Sequence, residues 1–212
     1  MDLQVKDSTG KVVGSVEASD RVWGAPGNEV LLHQAVVAQQ ANKRSGTHDT
    51  QTRAEVSFST RKIRPQKGGG VARQGSRRSP VRVGGGVAFG PHPRSYRQRL
   101  PKKMRQQALR TALSDKVRED NVTVIDSLEL DAPKSSTIRD IVNALELKGR
   151  TLIVTGATDQ NVVKSASNLP GVEVQAAALM NPLEASTVSN LVLTQDAIAT
   201  IDGLWGPDGG EK

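Results

Sequence analysis

The sequence contains no cysteine, which excludes disulfides, thiolate zinc sites and a thiol nucleophile together. Aromatic residues are nearly as scarce: Trp23, Phe58, Phe89, Tyr96 and Trp205 are the whole set. Twenty glycines and ten prolines dilute what remains, so apolar burial per residue is modest. No apolar run approaches the ~20 residues that a membrane helix needs, and the first residues lack the basic flank and apolar stretch of a leader peptide. The expectation is a soluble, cytoplasmic protein. At 212 residues the chain accommodates one domain of ordinary size, or a smaller one plus a segment without a core of its own. Its composition favours the second arrangement.

Acidic residues are missing from one region in particular. Residues 41–110 hold 18 Lys or Arg against two acids, Asp49 and Glu55, a net +16, whereas the rest holds 11 Lys or Arg against 20 acids, a net −9. Because the flanks have the opposite sign, general basicity does not explain the block. A like-charge block of this size reads as a solvated interaction segment.

The periodic signals lie on either side of it. Leu3 and Val5, then Ser8 to Lys11, then Val12, Val13 and Val16 read as a hairpin. Asn28 can cap a helix that runs to about Asn42, and its apolar residues cover more than half the circumference, which predicts burial. Pro101 suits the first turn of another helix, in which Met104, Ala108, Leu109, Ala112, Leu113 and Val117 mark one face. Short β-branched runs at Val122–Ile125, Thr151–Val154, Val172–Val174 and Leu191–Leu193 alternate with helical patterns. These cover Ser135–Leu147, ended by Gly149, then Asp159–Asn168, about Pro182–Ser189, and Gln195–Leu204. Such alternation predicts an α/β fold: an open, mostly parallel sheet with helices on both faces.

Between Ser45 and Leu100 neither period persists. Gly68, Gly69, Gly70, Gly75, Gly84, Gly85, Gly86 and Gly90, with Pro65, Pro80, Pro91 and Pro93, exclude a helix or central strand. Ordering such a segment costs roughly 1–2 kcal/mol per residue in backbone entropy, and its scattered apolar residues do not offset that. The expected organisation is residues 1–42 and 101–212 as the two parts of the α/β domain, with residues 43–100 as an extended basic arm, mobile when free and ordered on a polyanion. Groove reading by a helix is excluded where helices are excluded, and stacking platforms want more aromatics than Phe58, Phe89 and Tyr96. That leaves recognition of the backbone and shape of folded RNA. The candidate RNA-binding residues are Lys43, Arg44, Arg53, Arg61, Lys62, Arg64, Gln66, Lys67, Arg73, Arg77, Arg78, Arg82, Arg94, Tyr96, Arg97, Arg99, Lys102, Lys103 and Arg105. Lys102, Lys103 and Arg105 begin a helix, where the macrodipole disfavours cations by about 0.3–1 kcal/mol each; phosphate would compensate them.

An expectation of another class is a nucleotide-dependent α/β enzyme whose basic insertion is a lid. Neither Gly-rich run sits between a strand and a helix. Thr155-Gly156-Ala157 is better placed for a mononucleotide but reads more simply as a turn. Asp126, Glu129 and Asp131 have no histidine near them in sequence for acid–base chemistry, and His33, His48 and His92 are too scattered to declare a metal.

The stretch Arg61-Lys62-Ile63-Arg64-Pro65-Gln66-Lys67-Gly68-Gly69-Gly70-Val71-Ala72-Arg73-Gln74-Gly75-Ser76 resembles the bacterial large-subunit ribosomal protein L-four family. The resemblance reaches back to Thr52–Val56 and forward through Ser79-Pro80, Gly85–Pro91, Pro93-Arg94 and Tyr96 to Leu100–Lys103 and Ala108-Leu109. It implies a structural protein, not an enzyme, without cofactor, any structural Mg2+ belonging to the RNA. The implied partners are large-subunit ribosomal RNA and neighbouring large-subunit ribosomal proteins, with no membrane and no homo-oligomer. It further implies that the protein supports subunit assembly, and that an arm tip of Ile63, Arg64, Pro65, Gln66, Lys67, Gly68, Gly69 and Gly70 lines the nascent-peptide exit tunnel, where changes alter macrolide sensitivity. The sequence departs from the family pattern at Arg64, where a Trp is usual, and at Val71, where an Arg is usual.

Overall fold

The computed structural model describes residues 1–128, 130 and 132–206; Glu129 and Asp131, weighed above as carboxylates, lie outside the described residues. The chain divides into two compact units, a body of Met1–Gln40 with Arg99–Lys212 and an arm of Ala41–Gln98.

The body is α/β. Strands β1 (Asp2–Lys6) and β2 (Val12–Glu17) form an antiparallel hairpin. Strands β3 (Val122–Ile125), β4 (Thr151–Thr155), β5 (Val172–Ala176) and β6 (Asn190–Thr194) contain the four β-branched runs. One sheet results, in the order β2-β1-β3-β6-β4-β5, parallel everywhere except at the hairpin. The last strand in sequence is thus central, with β3 on one side and β4 on the other. Helices are α1 (Asp20–Trp23), α2 (Glu29–Lys43), α3 (Lys102–Arg118), α4 (Ser135–Ala144), α5 (Gln160–Ala166), α6 (Pro182–Thr187) and α7 (Gln195–Trp205).

Alternation along the strands builds two cores, because successive side chains point to opposite faces. Leu152, Val154, Leu191, Leu193 and Val124 join Trp23, Leu109, Leu113, Ile198 and Ile201 from α1, α3 and α7. Ile153, Val192 and Ile125 join Ile138, Val162 and Ala166 from α4 and α5 on the other face. Each buried Leu or Ile contributes roughly 1.5–3 kcal/mol. The predicted α/β class, with helices on both faces, is the observed one.

Helix ends follow local chemistry. Asn28 caps α2 as its position predicts, its Oδ1 accepting from the Leu31 amide at 3.0 Å. Asp159, Asn181 and Thr194 cap α5, α6 and α7 in the same way. The helix expected to reach Leu147 instead ends at Ala144. Glu146 turns left-handed (φ 54°), its amide donating to Asn143 O and that of Leu147 to Val142 O, a closure that satisfies the orphan carbonyls before Gly149 is reached. Asp120 (φ 56°) ends α3 by the same device, with the Asn121 amide donating to Lys116 O.

The expected burial of α2 is corrected. Only Ala35 and Ala38 are buried, while Val30 is 71% and Val37 39% exposed. The helix is wide in its apolar arc, but Leu31, Leu32 and Val36 are only half-buried and full burial is confined to its two small residues. Helix α1 and a 3-10 turn at Ala177–Leu179 carry too few residues to show a period. Yet α1 places Trp23 in the core, its indole N–H donating to Asp202 Oδ1 at 2.9 Å while Oδ2 accepts from the Ser19 amide at 3.0 Å.

Candidate nucleic-acid interface

Beyond the end of α2, the described residues of the arm hold no helix or strand, only an isolated bridge between Lys62 and Ser76. Val56 is the arm's only buried apolar side chain among them. Polar bonds between an outgoing and a returning stretch do the work of a core.

At the base, Asn42 brackets Gln98: its Oδ1 accepts from the Gln98 amide at 2.7 Å and its Nδ2 donates to the Gln98 carbonyl at 3.2 Å. The Arg94 amide donates to Gly46 O at 3.2 Å. Gly46 is left-handed (φ 68°), and a Cβ there would collide with the Arg94 carbonyl, so the approach requires glycine. Further along, the Thr50 hydroxyl donates to Pro91 O at 3.1 Å and the Val87 amide to Gln51 O at 2.9 Å.

Two guanidiniums gather on Tyr96, whose ring centroid lies 3.9 Å from Arg44 Cζ and 4.5 Å from Arg94 Cζ. Each such contact contributes about 0.5–1 kcal/mol at an exposed site. Hydrogen bonding from Arg94 and the charges of Arg94 and Arg44 hold the phenol below its ordinary pKa, against a smaller opposing effect of desolvation. Beside the ring an open hollow is lined by Arg44, Arg94 and Arg97 with Ser45, Thr47 and Ser95.

In the middle of the arm, the Glu55 carboxylate accepts from the Thr52 amide at 2.7 Å and the Thr52 hydroxyl at 2.8 Å, bonds that lower its pKa. Arg78 Nε donates to Phe58 O at 2.6 Å and a terminal nitrogen to Ala54 O at 3.3 Å; this cation ties two turns together. Arg77 lies 5.4 Å from the Phe58 ring centroid.

Near the arm's midpoint in sequence, the Lys62–Ser76 bridge and the Ile63 amide, donating to Gly75 O at 3.1 Å, close a loop. Every residue from Arg61 to Arg73 is exposed. Lys62 Nζ donates to the Gln66 side chain, and Arg61, Lys62, Ile63, Arg64 and Pro65 line a hollow with Ser59 and Arg77.

The remaining candidates stand apart. Lys43, Arg53, Lys67 and Arg73 are exposed and Arg82 is half-buried in the arm; Arg99, Lys102, Lys103 and Arg105 are exposed in the body. Helix α3 has no acid in its first turn, and Pro101, one position before the helix, provides no side-chain cap. Among the described residues, ion pairs join Met1 to Asp20, His92 to Asp49, Lys116 to Glu119, Arg118 to Asp115 and Arg139 to Asp140. None of them engages a Lys or Arg between 43 and 105. The two acids of the arm are used locally, Asp49 by His92 and Glu55 by Thr52.

The nucleotide reading finds its turn occupied. A Cβ on Gly156 would lie 2.8 Å from Asp196 Cβ, so Thr155-Gly156-Ala157 serves close packing on α7. The start of α5 receives the Asp159 carboxylate, which accepts from the Asn161 amide at 2.8 Å. Asn42, Gly46, Thr50 and Gln98, which shape the base of the arm, were not candidates from sequence; uncharged and aperiodic, they offered no signal.

An α/β body carrying a long, exposed, cationic insertion defines the class of protein. The model of the ribosomal protein L4/L1 family matches residues 16–204. The chain is 46% identical to the large ribosomal subunit protein uL4 of Dehalococcoides mccartyi over 210 residues, 99% of this chain and 100% of that one. It is 48% identical to the protein of the same name from Symbiobacterium thermophilum over 204 residues, 96% and 99% of the two chains. The counterpart from Carboxydothermus hydrogenoformans is 46% identical over 203 residues, 96% and 98% of the two chains. The chain therefore belongs to the ribosomal protein L4/L1 family and is a structural ribosomal protein, not an enzyme.

Proposed function

We propose that the chain is a component of the large ribosomal subunit in the cytoplasm, whose arm binds large-subunit ribosomal RNA and supports assembly of the subunit. The observation that carries this reading is the row of exposed Lys and Arg between residues 43 and 105 without a carboxylate partner among the described residues. Unneutralised cations spaced along an irregular backbone match a phosphate backbone, which lacks the groove geometry that a helix would read. Phosphate near Lys102, Lys103 and Arg105 would also offset their unfavourable place at the start of α3. Arg78 contributes differently from the rest, by holding the arm's shape.

The loop closed by Lys62 and Ser76 is the arm's tip, and its exposed Ile63 to Gly70 face the nascent-peptide exit tunnel. Neighbouring large-subunit proteins adjoin the body, which acts as a monomer and carries no cofactor. Limited proteolysis of the full chain tests the binding. Cleavage between Ser45 and Leu100 in the free protein should disappear on addition of large-subunit ribosomal RNA, and an arm equally resistant without RNA would overturn the proposal. Crosslinking from the Arg61–Arg82 segment in assembled particles tests the placement of the tip; adducts remote from the tunnel wall would refute it.

A further inference from the structure

The three aromatic residues of the arm are not equivalent. Tyr96 carries the guanidiniums of Arg44 and Arg94, and Phe58 that of Arg77. Among the described residues Phe89 makes no such contact, and its relative exposure is 108%. Its backbone is left-handed (φ 54°), a conformation that a phenylalanine seldom adopts. The chain is fastened on both sides of it: the Val87 amide donates to Gln51 O at 2.9 Å, and Pro91 O accepts from the Thr50 hydroxyl at 3.1 Å. A strained residue that holds its ring fully in solvent gains nothing from within the chain, and strain kept in this way points to a partner outside it.

The surroundings say what kind of partner. The segment that presents the ring has 18 Lys or Arg against two acids over residues 41–110. An apolar protein pocket gains nothing from cations around its ligand, whereas an unpaired nucleotide offers both a flat π face and a phosphate. Scarcity of aromatics excludes a stacking platform, but one held ring is enough for one base.

We propose that Phe89 stacks on an unpaired nucleobase of the RNA bound by the arm, adding a base contact to otherwise phosphate-directed binding. The proposal rests on the RNA-binding reading above. Binding of the full chain to protein-free large-subunit ribosomal RNA is the assay, with Phe89→Asn and Phe89→Trp as variants. Asn tolerates the left-handed backbone and so keeps the turn while removing the ring; Trp keeps a stacking face. Phe89→Asn should weaken binding about 5- to 150-fold without changing the salt dependence, since the phosphate contacts remain. Phe89→Trp should bind as the wild type does, and ultraviolet crosslinking should attach a nucleobase at residue 89. Wild-type affinity in Phe89→Asn, or a crosslink at residue 89 to protein in assembled particles, would overturn the proposal while leaving the RNA-binding reading intact. Failure of the wild type to bind this RNA would bring down both.

Discussion

The body and the arm keep their shapes by different physics. In the body, two apolar clusters on opposite faces of one sheet supply the stabilisation, and polar bonds such as those of Asp202 fix details. In the arm a single buried valine stands where a core would be, and the path is set by Asn42 on Gln98, Thr50 on Pro91 and Arg78 on Ala54 and Phe58. Hydrogen bonds exposed to water contribute little net stability, about 0.5–1.5 kcal/mol each. The body therefore has a core of its own, and the arm has only such bonds to hold it. Substitutions should divide along the same line: those in the body change melting, those in the arm change RNA binding.

Leu113→Ala removes a fully buried side chain of α3 and should cost about 2–5 kcal/mol, seen as a large drop in the thermal midpoint of the free protein. An unchanged midpoint would break the comparison at once. Replacing Arg61, Lys62, Arg64 and Lys67 together by Gln should leave that midpoint in place. The slope of log affinity for large-subunit RNA against log salt should become shallower by roughly 3. Asp202→Ala leaves the Trp23 N–H and Ser19 amide without their acceptor and should destabilise the body by about 1–3 kcal/mol, with RNA affinity per folded molecule unaltered.

A smaller effect sharpens the contrast inside the arm. Gly46→Ala forces a Cβ onto the Arg94 carbonyl, while Gly75→Ala meets nothing within 4 Å and has no left-handed backbone. The first should weaken RNA binding and the second should not, with melting equal in both. The smallest effect is spectroscopic. Tyr96 is the only tyrosine in the chain, so absorbance titration reports it alone. Its ionisation should fall below that of the urea-unfolded chain, because Arg94 and Arg44 favour the phenolate, and Arg94→Ala should close most of the gap.

Legibility in the sequence follows the same division. Short β-branched runs located β3 to β6, and the spacing of Ala108, Leu109, Ala112 and Leu113 marked the face of α3 that is buried, because a repeated pattern reports a repeated environment. Helix α2 misled for the complementary reason: apolar side chains show what a helix could bury, not what is available to cover it. The early end of α4 was hidden because a glutamate, not a glycine, takes the left-handed position. In the arm the excess of positive charge was plain, but the use of each cation was not. Arg78 with Ala54, or Arg44 with Tyr96, are meetings of residues far apart along an aperiodic segment.

The central place of β6 has a consequence for how the chain is made. Until Asn190–Thr194 exists, the strands β2-β1-β3 and β4-β5 have no common neighbour and cannot form one sheet. Pairings this distant in sequence also slow folding. During synthesis the polycation is complete long before its body can close, so for most of that interval a growing chain exposes its cations without yet having a folded body.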